Sequence, residues 1–256
     1  MRRTFLPTVA HRILWVVVVT LSGGAFADSP VATLDRAAPS NVLFVGNRFI
    51  YYNNSLHNHY RALVQSSEHQ FDTQPVTRSM TISGGHLPDY AGGLPSMLDS
   101  EDWDVVIMQG HSLGPISKAA AEQFREAARD YSKLVRKKGG QPVFFMTWAY
   151  TGKSEMTSQL NAAYTEIGRE LDAQVVPVGL AFAKVTDERP DILLRMADAR
   201  HPTLAGTYLA ACTFFAALFK QSPEGLEYAA GLDTKVATLS AKSRLANSPK
   251  LPRLSP

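Results

Sequence analysis

Residues 103–115 read WDVVIMQGHSLGP, and this stretch decides how the rest of the chain is read. Val105, Val106, Ile107 and Met108 are consecutive apolar residues with no polar position alternating between them. A strand of that kind is buried on both faces, the condition of a strand inside a parallel sheet covered by helices. Gln109, Gly110, His111 and Ser112 follow at once. They stand where open parallel sheets present their ligand-binding groups, beyond the carboxyl ends of the strands.

Working outward, the same alternation repeats on both sides. Asn41 to Val45 is a short apolar run that stops at Gly46-Asn47, and a helix is predicted over about residues 55–66. Phe71 to Ile82 reads as a second extended stretch, closed by Ser83-Gly84-Gly85. Beyond the opening stretch, Phe124, Ala127, Ala128, Tyr131, Leu134 and Val135 recur at helical spacing. Lys133, Arg136, Lys137 and Lys138 load the last turn of that helix, where the dipole is negative, and Gly139-Gly140 ends it. Pro142 to Trp148 is the fourth predicted strand, and Leu160, Tyr164, Ile167 and Leu171 mark one face of another helix. Gln174 to Val178 is the fifth strand, and Thr203 to Phe219 the last strong helix. Repeated strand-helix alternation predicts an α/β protein, three layers deep, with a mostly parallel five-stranded sheet.

The ends of the chain read differently. Arg2, Arg3 and Arg12, the apolar run Ile13 to Leu21, and Ala25-Phe26-Ala27 together form the pattern of a secretory leader over residues 1–27, cleaved near Ala27. Its apolar run is shorter than the roughly 20 residues of a spanning helix. The expected location is therefore the periplasm or the cell exterior. Residues 28–40 read as a flexible lead-in, 41–222 as the domain, and 223–256 as a Ser- and Pro-marked tail. The chain carries 26 basic and 23 acidic residues, but three of the basic ones belong to the leader. The remainder is balanced, so neither nucleic acid nor an anionic membrane surface is an expected partner. One cysteine, Cys212, lies inside the apolar run LAACTFFAALF and reads as a buried thiol. Stability without a disulfide framework must come from packing.

The strand ends carry the chemistry. After the first strand stands Gly46-Asn47-Arg48-Phe49-Ile50-Tyr51-Tyr52-Asn53-Asn54, and after the second Gly84-Gly85-His86. Before the last helix stands Asp198-Ala199-Arg200-His201-Pro202-Thr203-Leu204-Ala205-Gly206. A carboxylate three residues before a histidine can fix the imidazole tautomer and favour its protonated form. His57 and His59 are two residues apart and would point to different faces of a helix, a poor metal pair. No Cys/His spacing suits zinc, no G-x-G-x-x-G follows the first strand, and Gly84-Gly85 lacks the Lys-Ser/Thr of a phosphate loop. No metal or cofactor is expected. Trp148-Ala149-Tyr150 fits a pocket wall and a core equally well.

Together these segments resemble the SGNH (GDSL-like) hydrolases, in particular a bacterial branch with G-N-S-F-T-Y-x-N-N after the first strand. The resemblance runs from about Asn41 to Phe219, and D-x-x-H-P-x-x-A-G at Asp198 to Gly206 is its most specific part. It implies a flavodoxin-like SGNH hydrolase fold and hydrolysis of O-acyl esters of carbohydrate or lipid. It also implies His201 as general base, oriented by Asp198. Gly84 or Gly85 would be the small oxyanion-hole residue after the second strand, with Gln109 or His111 as the further donor after the third.

Arg48 departs from that pattern, standing where the resemblance places the nucleophilic serine. A guanidinium has no lone pair to offer and cannot form an acyl-enzyme. A fixed positive charge there would also disfavour the imidazolium that base catalysis requires. Three expectations follow. One is an ester-hydrolase-like protein without its family's serine nucleophile, and a second is hydrolysis by a water that His201 and Asp198 activate while Arg48 clamps the substrate. The third is a non-catalytic binder that takes a small-molecule or carbohydrate-borne ester or anion in the same cleft, with Arg48 beside a helix N-terminus as the anion's partner.

Overall fold

A computed structural model describes Leu34 and residues 38–242. The leader and residues 243–256 lie outside the described residues, as does most of the lead-in.

Five strands form one parallel sheet in the order β2-β1-β3-β4-β5, with β1 at Val42–Gly46, β2 at Thr77–Thr81, β3 at Val105–Met108, β4 at Gln141–Phe145 and β5 at Gln174–Val176. This is the doubly wound arrangement whose crevice opens where the strand order reverses, between β1 and β3. Val42 pairs with Thr77 on one side and Val105 on the other. The register brings Gly46, Thr81 and Met108 to one edge, so the turns after them share one crevice.

Strand alternation divides the core in two. Val42, Phe44, Val105, Ile107, Val143, Phe145 and Val176 face one helical layer. That layer contains α2 (Leu56–Gln65), α6 (Val178–Glu188), α7 (Leu204–Phe219) and α8 (Thr234–Lys242). Leu43, Val45, Val106, Met108, Phe144 and Val175 face the other. It is formed by α3 (Leu94–Leu98), α4 (Ala121–Lys137) and α5 (Glu155–Glu170), while the short α1 (Arg48–Tyr51) sits at the end of β1. The expected α/β fold with its five-stranded sheet is therefore present, and all of its pairings are parallel.

Helix α7 is apolar nearly all round and buried along most of its length, Cys212 included. Such a helix belongs inside the protein rather than on its surface. No described helix is long and apolar enough to cross a membrane. Helix α4 stops as expected at Gly139, whose φ of +87° is the left-handed backbone that glycine adopts most readily.

Several boundaries differ from expectation. Only residues 77–81 of the stretch Phe71 to Ile82 form a strand, and the fourth strand stops at Phe145. The fifth strand stops at Val176, because α6 starts two residues later and takes Val178 as its first buried residue. The segment set apart as a tail packs on the domain. The Tyr208 hydroxyl donates to Tyr228 O at 2.8 Å, Tyr228 OH hydrogen-bonds His59 Nδ1 at 2.7 Å, and Ala237 of α8 is buried in the core. The lead-in also touches the domain, since Leu34 is buried and Ala38 N donates to Leu218 O at 3.0 Å.

Candidate functional site

The crevice is built on a buried polar staple. Asn47, directly after β1, is 4% exposed, and Gln109, directly after β3, is fully buried. Asn47 N donates to Gln109 Oε1 at 3.2 Å, and Gln109 Nε2 returns a bond to Asn47 Oδ1 at 2.9 Å. Asn47 Oδ1 also accepts from Phe49 N at 3.2 Å, capping α1, while Asn47 Nδ2 donates to Gly85 O at 3.1 Å. One amide thus joins the ends of β1, β3 and β2. The close approach requires Gly46, since a Cβ there would lie 2.5 Å from Gln109 Oε1. Gln109 is buried beneath the cleft rather than lining it, with Oε1 and Nε2 both bonded to Asn47.

Above the staple is a cleft of about 90 Å³. Four of the expected site residues line it: Arg48, Gly84, His111 and His201. Gly85 does not. Its N–H donates to Ile82 O at 3.0 Å and its carbonyl is held by Asn47, so the turn consumes both groups. Gly84 has φ +70°, and its N–H has no hydrogen-bond partner among the described residues. The Arg48 guanidinium leans over this glycine, with Nη1 3.9 Å from the place a Cβ would occupy.

The opposite wall is the turn between Met196 and His201, closed by a bond from Met196 N to His201 O at 2.8 Å. Asp198 Oδ1 accepts the backbone N–H of Arg200 and of His201, each at 3.0 Å, and Oδ2 pairs with His201 Nδ1. The hydrogen bond to His201 is the largest of the effects that hold the Asp198 carboxyl down at about 2. Nδ1 therefore carries the proton in neutral His201, which leaves Nε2 as the basic nitrogen. The imidazole is boxed by Tyr52, 4.7 Å away between ring centres, and by Phe49 at 6.0 Å. Asn53 anchors the loop from behind, donating to Pro202 O and Thr207 Oγ1 at 2.8 Å each.

Asn47, Phe49, Ser112 and Arg200 also line the cleft without an expected role, and so does Tyr150, which fitted a pocket wall and a core equally well. Ser112 Oγ and Tyr150 OH are hydrogen-bonded at 2.6 Å. Trp148 is core: it is fully buried, stacks on Phe182 at 4.1 Å, and donates Nε1 to Arg200 O at 2.9 Å. His111 stacks face to face on His86, 4.3 Å apart at 9°. Burial, with His86, Arg200 and Arg48 adding to it, pushes the His111 imidazole below the ordinary histidine range. Neither Arg48 nor Arg200 pairs with a carboxylate among the described residues. His57 and His59 turn to different partners, Ser55 Oγ at 2.7 Å and Tyr228 OH, and among the described residues no acidic, His or Cys cluster could hold a metal ion.

Solved structures share this architecture. A protein from Slackia heliotrinireducens assigned to the SGNH hydrolases superposes with a TM-score of 0.58 at 24% identity, over 70% of this chain and 99% of its own. A DUF4886 family protein from Bacteroides uniformis gives 0.61 at 17%, over 81% and 96%. An acetylxylan esterase from Geobacillus stearothermophilus gives 0.57 at 14%, over 72% and 95%. At these identities the likeness is one of fold. No family model matches the chain, and no curated protein does.

Proposed function

We propose that this chain is an exported member of the SGNH hydrolase superfamily that binds a compact anion in the former ester-cleaving cleft and no longer attacks esters itself. One observation carries the reading. Two arginines without carboxylate partners among the described residues, Arg48 and Arg200, meet the unpartnered Gly84 N–H around one cleft. A guanidinium offers a planar fork of donors that matches carboxylate, sulfate or phosphate oxygens two at a time. Gly84 N–H supplies the donor that an oxyanion hole would use. At about 90 Å³ the cleft suits an anionic group rather than a whole drug-sized ligand, which needs roughly 300–1,000 Å³.

The His201–Asp198 pair is set as in a general base, yet the position a serine would need holds Arg48. A guanidinium in the same cleft has no lone pair with which to attack an ester, and its charge attracts an anion instead. A small molecule or carbohydrate supplies it, not nucleic acid, and the leader-like pattern of residues 1–27 supports an encounter in the periplasm or outside the cell.

Calorimetric titration of inorganic phosphate into the mature chain tests this. Saturable binding is expected, weakened about tenfold or more by Arg48→Ala, the worth of one or two charge-assisted hydrogen bonds. His201-dependent turnover of p-nitrophenyl acetate by the unaltered chain would overturn the proposal.

A further inference from the structure

We infer that the anion is carried on an aromatic ring, a conclusion that rests on the anion-binding reading above. Aromatic rings border the cleft. Phe49 lines it and is itself backed by Trp148, 4.3 Å away at 15°. From His201 the rings continue outward: Tyr52 lies 4.7 Å from the imidazole, and Tyr51 lies 5.6 Å from Tyr52 at 27°. Tyr51 is 36% exposed, so this aromatic stair reaches solvent.

The apolar surface is concentrated in the same loops. Among the described residues the exposed large hydrophobics are Tyr51, Ile82, Leu113, Leu193 and Met196. Tyr51 follows Arg48 on α1, Ile82 precedes Gly84, Leu113 follows Ser112, and Met196 faces His201 across its turn. Thr203 Oγ1 donates to Leu193 O at 2.7 Å, which ties Leu193 to the same loop. Exposed apolar side chains gathered around a concave site mark what it binds. A cationic floor with an apolar, aromatic approach fits a ligand with an oxyanion at one end and a flat ring behind it.

A sugar carrier would gain little from this apolar approach, and its hydroxyls would find Ser112 and Tyr150 already bonded to each other. Asp198, the carboxylate of this turn, already spends both oxygens on His201 and the Arg200 N–H. A flexible alkyl carrier would gain from burial but not from ring stacking, which adds to what buried area alone supplies.

The test compares inorganic phosphate, phenyl phosphate, butyl phosphate and glucose 6-phosphate by calorimetry on the mature chain. Phenyl phosphate is expected to bind about tenfold tighter than inorganic phosphate, and the other two within about threefold of it. The phenyl-to-inorganic ratio should fall towards one in Tyr52→Ala and stay high in Tyr52→Phe. Tyr51→Ala, on the surface, should lower the ratio partly and serves if Tyr52→Ala does not fold. Equal affinities across the series, or a preference for the butyl or glucose ester, overturn the ring inference and leave the anion site standing. Absent phosphate binding, or binding indifferent to Arg48→Ala, brings down the anion site as well.

Discussion

The two walls of the cleft differ in what they keep. The turn from Met196 to His201 holds an imidazole and a carboxylate in a geometry fit for proton transfer, with Asp198 drawn low by His201. The turn after β1 keeps the matching backbone: Asn47 caps α1, and Gln109 and Gly85 are stapled to it. Its next side chain is a guanidinium. Positioning and reactivity are thus separable, because one is set by buried hydrogen bonds and the other by a single half-buried functional group.

Arg48→Ser should break the difference most strongly. If only the attacking group is missing, the variant gains hydrolysis of p-nitrophenyl acetate by about 100-fold or more over the unaltered chain, the usual worth of a positioned base acting on a hydroxyl. His201→Ala or Asp198→Ala in that background should remove the gain. A serine variant as inert as the parent would show that the walls are not aligned for catalysis.

The staple gives the next effect, on stability. Asn47→Ala leaves Gln109 Nε2 and Gly85 O without their side-chain partner in a buried place. Unsatisfied buried groups cost about 1–3 kcal/mol each, so urea unfolding should show a loss of about 2–4 kcal/mol. A loss below about 0.5 kcal/mol would mean the walls are held by packing alone.

The smallest effect is in pH. His111 faces His86, Arg48 and Arg200, and burial is the main cause that lowers its pKa. A histidine lowered in the folded state costs stability as pH falls below its ordinary value of 6.5, and His57, lowered to about 4, continues the loss. Asp198 acts in the opposite range: its contribution is present above 3.8 and fades as pH falls towards 2. The melting temperature should drop between pH 7.5 and 5, and sulfate should restore more of it at pH 5, where a bound anion favours the His111 imidazolium. Equal sulfate protection at both pH values would separate His111 from the anion.

Much of this was legible in the chain. Continuous apolar runs gave the strands of a parallel sheet, and Asp198 and His201 were readable as a pair. Helix α6 was missed because it starts directly behind β5, although Val178, Ala181, Phe182 and Val185 carry a helical period. Arg200 was missed because a charged loop residue reads as solvated surface. Gly85 stood as an alternative to Gly84, and Gln109 to His111, because residue type says nothing of where a polar group is already bonded.

The amino-acid order alone determined which segments must be buried, since hydrophobic periodicity is a local property written in neighbouring residues. It also determined that the group after β1 carries charge and no nucleophile. Tertiary packing decided which of two glycines faces the cleft, that Gln109 lies beneath it, and that Arg200 joins Arg48 across 152 positions of chain. Those outcomes depend on which hydrogen-bond partners distant loops bring to each other, and no stretch of sequence contains both sides of such a bond.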